Sequence, residues 1–234
     1  MKYSLVIPCF NEAENILPLI DKLKNNILKK KKIEVILVNN GSTDNTLSIL
    51  KDQEKKFSNI VIVNIKTNIG YGNGIISGLK KSTGNIVGWT HADLQTDPND
   101  FLIGIDLFKK NRNLYVKGKR NNRIFFDNFF TFFMSIFETI LFRKHLYDIN
   151  AQPTIFTRDF FLKWKKPPDD FSLDLFSYVM AIDHNLEIRR FNVFFPERLF
   201  GESKWNTSFK SKLNFIIRTI KYSFQLKKKI NDNN

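Results

Sequence analysis

Four short apolar runs, SLVIP at 4–8, IEVILV at 33–38, IVIVNI at 60–65 and NIVGWT at 85–90, recur with helix-like segments between them. Runs of that length rich in Val and Ile read as buried strands. Strands separated by a helix's worth of chain are expected to lie parallel, because a parallel neighbour is reached only by a crossover. The first hundred residues therefore predict a βαβαβαβ order and an α/β fold, a mostly parallel sheet with helices on both faces.

Each strand is expected to hand over to a polar turn. Pro8 should end the first strand. Asn11 should cap the following helix, with Glu14 closing a capping box and Ile16, Leu19, Ile20, Leu23 and Ile27 forming its buried stripe. Asn39-Asn40-Gly41-Ser42 turns into a helix running to about Lys56, and NIGYGNG at 68–74 leads into a helix near 74–82. His91-Ala92-Asp93 stands where the fourth strand stops. In open parallel sheets ligands collect at the carboxyl ends of strands, which makes these turns the expected site.

The chain changes character near residue 100. Residues 1–100 carry 13 Lys/Arg against 10 Asp/Glu and only Phe10 and Phe57 of the 24 phenylalanines; residues 101–234 carry 24 against 13 and the other 22. The formal net charge of +14 points to nucleic acid, an anionic membrane surface or a phosphate-bearing ligand. A hydrophobic share of 42 % excludes a disordered tail, and the single Cys9 excludes a disulfide framework or a cysteine zinc site, fitting a reducing compartment. Lys2 leads straight into a strand-like run, so no signal peptide is expected.

Pro98 suits the first turn of a helix to about Lys110, and LYVKG at 114–118 is strand-like. Residues 124–146 predict a helix with Phe129, Phe130, Phe133, Ile136, Phe137, Ile140 and Leu141 on one face and Asn128, Thr131, Ser135 and Glu138 opposite. Residues 207–229 repeat the design with Phe209, Leu213, Ile216, Ile217, Ile220 and Phe224 against Lys210, Asn214, Arg218, Lys221 and Lys228. Such faces serve either a core or a membrane interface. The run at 125–142 is interrupted by Asp127, Asn128 and Glu138, so a bilayer contact would be peripheral. No repeat or linker divides the chain, and 1–234 is expected as a single domain.

VIPCFNEAENI at 6–16, VNNGSTDNT at 38–46, NIGYGNGIISGL at 68–79, HADLQTDP at 91–98 and RLFGESKW at 198–205 follow one another in that order. Together they resemble glycosyltransferase family 2, the inverting enzymes of GT-A fold, and within it the branch of polyprenyl-phosphate sugar synthases. The resemblance implies a Rossmann-like sheet, a nucleotide-sugar donor held by residues 1–100, and an acceptor and membrane face in 101–234. Pro8, Asn11 and Glu12 match positions that contact base and ribose. Asn39 and Asn40 stand where the family has two aspartates, the second reading the base. Gly70 belongs to the glycine-rich donor turn. His91, Ala92 and Asp93 occupy the family's DxD motif, where a divalent metal, Mn²⁺ or Mg²⁺, bridges the phosphates. Asp93 and Gln95 are the implied metal ligands, and His91, a poor partner for Mg²⁺, is expected on ribose or phosphate.

On the acceptor side the resemblance implies Asp174 as the base, and Arg198 and Lys204 at the departing diphosphate. Asp174 reads equally as a capping or ion-paired helix residue. Arg120 and Arg123 match arginines that grip a lipid phosphate, an acceptor that needs no base. Asp127 replaces a serine there, and Asp148-Ile-Asn-Ala-Gln-Pro153 departs from the branch pattern, which favours a lipid-linked sugar. The function expected is inverting transfer to a lipid-linked or polyprenyl-phosphate acceptor in cell-envelope or surface polysaccharide synthesis, by an enzyme peripheral on the cytoplasmic membrane face. A sugar-phosphate nucleotidyltransferase and a degenerate nucleotide-binding relative are the alternatives. Nucleic acid would explain the charge and aromatics but not the five ordered motifs, so no nucleic-acid partner is expected.

Overall fold

The computed structural model describes residues 1–121, 125–196 and 209–231, with side chains at 1–121, 132–196 and 216–230. The predicted alternation is present as β1 (Tyr3–Cys9), α1 (Ala13–Lys24), β2 (Ile33–Asn40), α2 (Thr46–Lys56), β3 (Ile60–Ile65), α3 (Tyr71–Lys81) and β4 (Ile86–Trp89). There follow α4 (Asp100–Leu107), β5 (Leu114–Asn121), α5 (Phe125–Phe142), β6 (Thr154–Thr157), α6 (Arg158–Leu162), α7 (Leu173–Asp183), β7 (Glu187–Phe194) and α8 (Phe209–Asn231). The strands form one sheet in the order β3-β2-β1-β4-β6-β5-β7, parallel throughout except for β6, which runs against both its neighbours.

Strand alternation sends side chains to two apolar layers. Leu5, Ile7 and Cys9 of β1 pack with Ile16 and Leu19 of α1, Leu50 of α2 and Phe101 of α4. Val6 and Trp89 point the other way, to Ile75 and Leu79 of α3 and to Leu173 and Val179 of α7. Gly78 lets α3 lie directly on β1, since a Cβ there would stand 2.3 Å from Val6 Cγ1. That contact brings the amino end of α3 over the carboxyl ends of β1 and β2.

Two expectations are corrected. β1 continues through Pro8 to Cys9 because β4 leaves the sheet early: Thr90 donates to the Val6 carbonyl as the last contact on that edge, and beyond it no neighbour requires the N–H that proline lacks. Asn11 does not cap α1. Its backbone is left-handed at φ 55°, and its Oδ1 accepts from the Thr43 N–H at 2.8 Å. The entry to α1 is capped from the next loop, where Glu12 N–H donates to Thr46 Oγ1 (2.9 Å) and Ala13 N–H to Asp44 Oδ2 (3.2 Å). Partial burial opposes charge on Asp44, but hydrogen bonds from Thr46 and Ala13 outweigh it and hold the carboxyl below its ordinary range.

On α5 the apolar stripe, expected to serve either a core or an interface, is divided: Phe137 and Leu141 are half-buried, and Leu141 packs on the core. Ser135 and Glu138 are buried, whereas Phe133, Ile136 and Ile140 are exposed, Ile140 by 72 %. α8 packs beside it through a Phe137–Phe224 ring contact and a Ser223–Glu138 hydrogen bond, leaving Ile217 and Phe224 half exposed. The calls on Asn128, Phe129, Phe130 and Thr131 of α5, and on Phe209, Lys210, Leu213 and Asn214 of α8, lie outside the described side chains. Among the described residues no helix is long and apolar enough to cross a membrane.

Candidate active site

The carboxyl ends of β1, β2 and β4 meet at one edge of the sheet. Asn39 and Asn40 end β2 almost fully buried. Asn39 Nδ2 donates to Asn64 Oδ1 at 2.7 Å and its Oδ1 accepts from the Ser42 N–H, so both ends of that amide are engaged. Asn40 Nδ2 donates to the Gly70 carbonyl at 3.0 Å, while its Oδ1 is buried without a hydrogen-bond partner. Gly70 has φ 151°, and a Cβ there would meet the Asp169 carbonyl at 2.2 Å. The glycine-rich turn is thus shaped by the segment leading into α7. Glu12 accepts from Asn15 Nδ2 at 2.6 Å, and Pro8 lies beside Val38 in the β1–β2 register.

Beyond β4 the chain turns sharply. Ala92 and Asp93 are buried, Leu94 adopts φ 60°, and Asp93 Oδ1 accepts from the Gln95 N–H at 3.1 Å. Gln95 Nε2 points to the Pro196 carbonyl at 3.4 Å. His91 stacks on Tyr71 with ring centroids 5.7 Å apart, and Tyr71 stacks in turn on Phe171 at 5.2 Å. Arg218 of α8 lies over the far ring, 5.1 Å from the Phe171 centroid. A stack of planar groups therefore runs from the turn after β4 to the carboxy-terminal helix.

Behind Tyr71 lies a buried polar group. Asp174, in the first turn of α7, accepts from Gln152 Nε2 at 2.8 Å and faces Lys117 Nζ at 3.6 Å. Lys117 is fully buried and donates to Thr154 Oγ1 at 2.6 Å. Burial lowers its pKa to about 8 even though the Asp174 charge pulls the other way. The Tyr71 hydroxyl faces Asp174 without closing a hydrogen bond, and burial together with that carboxylate raises its pKa well above the ordinary range. Trp89 Nε1 and Gln152 Oε1 are also buried and unpaired, so polar atoms lacking partners gather around this carboxylate.

Arg120, on β5, is held by Asp148: its backbone N–H donates to Oδ2 at 3.0 Å and its Nε to Oδ1 at 2.8 Å, with a second guanidinium contact to Oδ1. Arg123, Arg198 and Lys204 lie outside the described residues. Tyr71, Lys117, Gln152 and Phe171 were missed as site residues. Lys117 had a readable signal, being a lysine inside the apolar run LYVKG, on the same strand face as Tyr115. Gln152 and Asp148 sit in the segment where the chain departs from the branch pattern, and they are the partners of Asp174 and Arg120.

A sheet parallel but for one strand, with polar side chains gathered beyond β1, β2 and β4, defines a Rossmann-like α/β fold of GT-A type. Residues 4–183 match the model of glycosyl transferase family 2, and the chain belongs to that family. It is 38 % identical over 101 residues to the undecaprenyl-phosphate 4-deoxy-4-formamido-L-arabinose transferase of Enterobacter sp. (strain 638), covering 42 % of this chain and 31 % of that one. It is 29 % identical over 125 residues to the dodecaprenyl-phosphate galacturonate synthase of Rhizobium johnstonii, covering 53 % and 40 %. The chain thus spans less than half the length of these curated relatives. A crystal structure of glucosyl-3-phosphoglycerate synthase from Mycobacterium tuberculosis with Mn²⁺, UDP and phosphoglyceric acid shares the fold, with a TM-score of 0.74 at 16 % identity over 97 % of this chain and 78 % of that one.

Proposed function

We propose that the chain transfers a sugar, with inversion, from a nucleotide-sugar donor to a lipid-linked or polyprenyl-phosphate acceptor. It would work at the cytoplasmic membrane surface, in cell-envelope or surface polysaccharide synthesis. The observation that carries this reading is the placement of Asn40, His91 and Asp93 at the carboxyl ends of β2 and β4, the two strands that flank β1, inside the segment that matches the family. The two relatives whose names specify polyprenyl-phosphate sugar transfer support the acceptor class.

In this reading Pro8, Asn11, Glu12, Asn39, Asn40, Gly70, His91 and Ala92 line the donor side. Asn40 Oδ1, buried and unpaired, is an acceptor for a base N–H. Asp93 and Gln95 hold the metal. Among the described residues no three His, Cys, Asp or Glu side chains gather as an all-protein cage. One carboxylate and one amide fit a cation that shares its coordination with substrate phosphates. When bound, such an ion supplies charge neutralisation at the departing diphosphate.

Arg198 and Lys204 serve the same diphosphate by virtue of their motif, and Arg120 and Arg123 the acceptor. Asp174 receives the proton of a hydroxyl acceptor as its oxygen attacks the anomeric carbon and the diphosphate leaves from the opposite face. The test is a thermal-shift panel of nucleotide sugars with and without Mn²⁺. One donor should raise the melting temperature in a Mn²⁺-dependent way. Pyrophosphate release from a nucleoside triphosphate and a sugar phosphate, with no nucleotide-sugar shift, would replace this reading by a nucleotidyltransferase.

The exposed side of α5 supports the membrane part. Phe133, Ile136, Ile140, Ile217 and Phe224 expose an apolar face on a helix pair whose Lys221 and Lys228 are also exposed. Aromatic and basic groups on one helical face suit an anionic interface. The protein should co-sediment with phosphatidylglycerol vesicles and be released by salt. Replacing Ile140 and Phe224 with Asp should reduce binding at least about tenfold, because each change inserts a charge into the apolar layer. Unaltered binding would assign the face to another role.

A further inference from the structure

The inner side of the α5–α8 pair carries a feature that the donor site does not use. Between α5, α8 and the first turn of α7 lies a cavity of about 70 Å³, lined among others by Arg120, Ser135, Glu138, Asn150, Tyr222 and Ser223. That is room for about five water molecules, enough to admit part of a sugar ring and too small for a nucleotide sugar. Ser172 and Leu175, which bracket Asp174 in the chain, also line it, so the cavity reaches the base of α7.

Its charge is unusual. Glu138 is 5 % exposed, and its described hydrogen bond is a hydroxyl, Ser223 Oγ donating to Oε1 at 3.2 Å. Among the described residues no cation forms an ion pair with it, and the Arg120 charge is already taken by Asp148. Burial pushes the Glu138 carboxyl up to about 7. A buried carboxylate without a cation is costly in a helix–helix contact, and an apolar side chain would pack there at less cost. Such a group in a cleft is a candidate ligand site.

The chemistry of the lining discriminates between acceptors. A phosphate would meet the Glu138 carboxylate with the guanidinium already neutralised. A neutral saccharide brings O–H donors for the carboxylate and oxygens for the serine and tyrosine hydroxyls. We propose that this chamber seats a sugar unit of the acceptor, with Glu138 accepting a hydrogen bond from a sugar hydroxyl. The proposal rests on the lipid-linked-acceptor reading, and it narrows that reading from a bare polyprenyl phosphate to a glycosylated lipid.

The test compares octyl β-D-glucoside with octyl phosphate, which share a tail, so that their affinity ratio reports the head group alone. Both are titrated at pH 8 below their micelle concentrations, with binding followed by NMR. The glucoside should bind at least about fivefold tighter, and Glu138→Gln should bring the ratio towards one by weakening the glucoside and strengthening the phosphate. Tighter binding of octyl phosphate to the unaltered chain would overturn the proposal. So would an unchanged ratio in Glu138→Gln, and if Glu138→Leu then melted lower, the carboxylate would be a latch between helices. UDP and Mn²⁺ binding is measured in parallel. A chain that binds UDP without a glucoside preference refutes the chamber alone, and one that keeps the preference but binds no nucleotide refutes the donor reading alone.

Discussion

Lys117→Met should lower stability by about 3–5 kcal/mol, one of the largest effects expected of any single substitution outside the apolar layers. The methionine fills the space of the lysine stem but leaves the Asp174 carboxylate, 2 % exposed, without the ammonium now 3.6 Å away. Thr154 Oγ1 loses its donor in the same change. The loss belongs to the buried acceptors deprived of that donor, the Asp174 carboxylate and Thr154 Oγ1, which even a neutral amine would serve and a thioether does not. Lys117→Met combined with Asp174→Asn, whose amide oxygen still accepts from Gln152 Nε2, should therefore recover most of the stability. Urea denaturation of the three variants measures the cycle, and a loss below about 1 kcal/mol in Lys117→Met would show that Asp174 does not depend on the lysine.

The same residue gives a pH signature. Its folded-state pKa of about 8 lies below the ordinary lysine value of 10.5. Between these values the unfolded chain binds the proton and the folded chain does not, so this group makes stability rise with pH, by at most about 1.4 kcal/mol per pH unit. Below pH 8 both states are protonated and the contribution is flat. The groups facing Lys117 are Asp174 from α7, Arg190 from β7, Asp148, and Arg120 on its own strand. The stability difference between the unaltered chain and Lys117→Met should therefore widen from pH 8 to pH 10, and a difference constant across that window would contradict the lowered pKa.

The parallel half of the fold was legible because its signals are local. IVIVNI at 60–65 is β3 residue for residue, since a run of Val and Ile between two turns has no competing conformation. The capping of α1 was misread because Asn11 and Glu14 satisfy a local rule, while the groups that do the work, Asp44 and Thr46, come from a loop some thirty residues away. β6, α6, α7 and β7 were not marked out, because short elements such as Thr154–Thr157 depend on the neighbours they pair with. Of the residues proposed for the site, those at strand ends follow from motif order and Lys117 had a signal in its apolar strand, but Gln152 and Tyr71 had none. Their roles arise from three elements meeting, and only the lysine in an apolar strand breaks a local pattern. For α5 the amphipathic period was correct, yet period alone does not say which face looks inward.

Asp93→Asn should reduce sugar transfer by about 10³-fold or more, equivalent to ~4 kcal/mol of transition-state stabilisation, while the fold survives. Asparagine is the informative replacement because the proposed reading gives the Asp93 side chain two tasks. Its Oδ1 accepts from the Gln95 N–H and so shapes the turn in which Leu94 is left-handed, and an amide oxygen performs that task unchanged. What the substitution removes is the negative charge, the property needed to hold a divalent cation against a diphosphate. Asp93→Ala removes both, leaving the half-buried Gln95 N–H without its acceptor, and should cost a further ~1–3 kcal/mol of stability. The discriminating readout is Mn²⁺-dependent binding of UDP, followed by calorimetry alongside turnover. Asp93→Asn should keep its melting temperature and lose the Mn²⁺ dependence together with the activity. If turnover survives with the charge gone, Asp93 has a structural task only, and the cation is held elsewhere. If UDP affinity is lost equally with and without Mn²⁺, the carboxylate acts on the nucleotide directly. The non-acidic residues at 39, 40 and 91 sharpen the comparison, since they leave Asp93 as the one acidic side chain among the implied ligands.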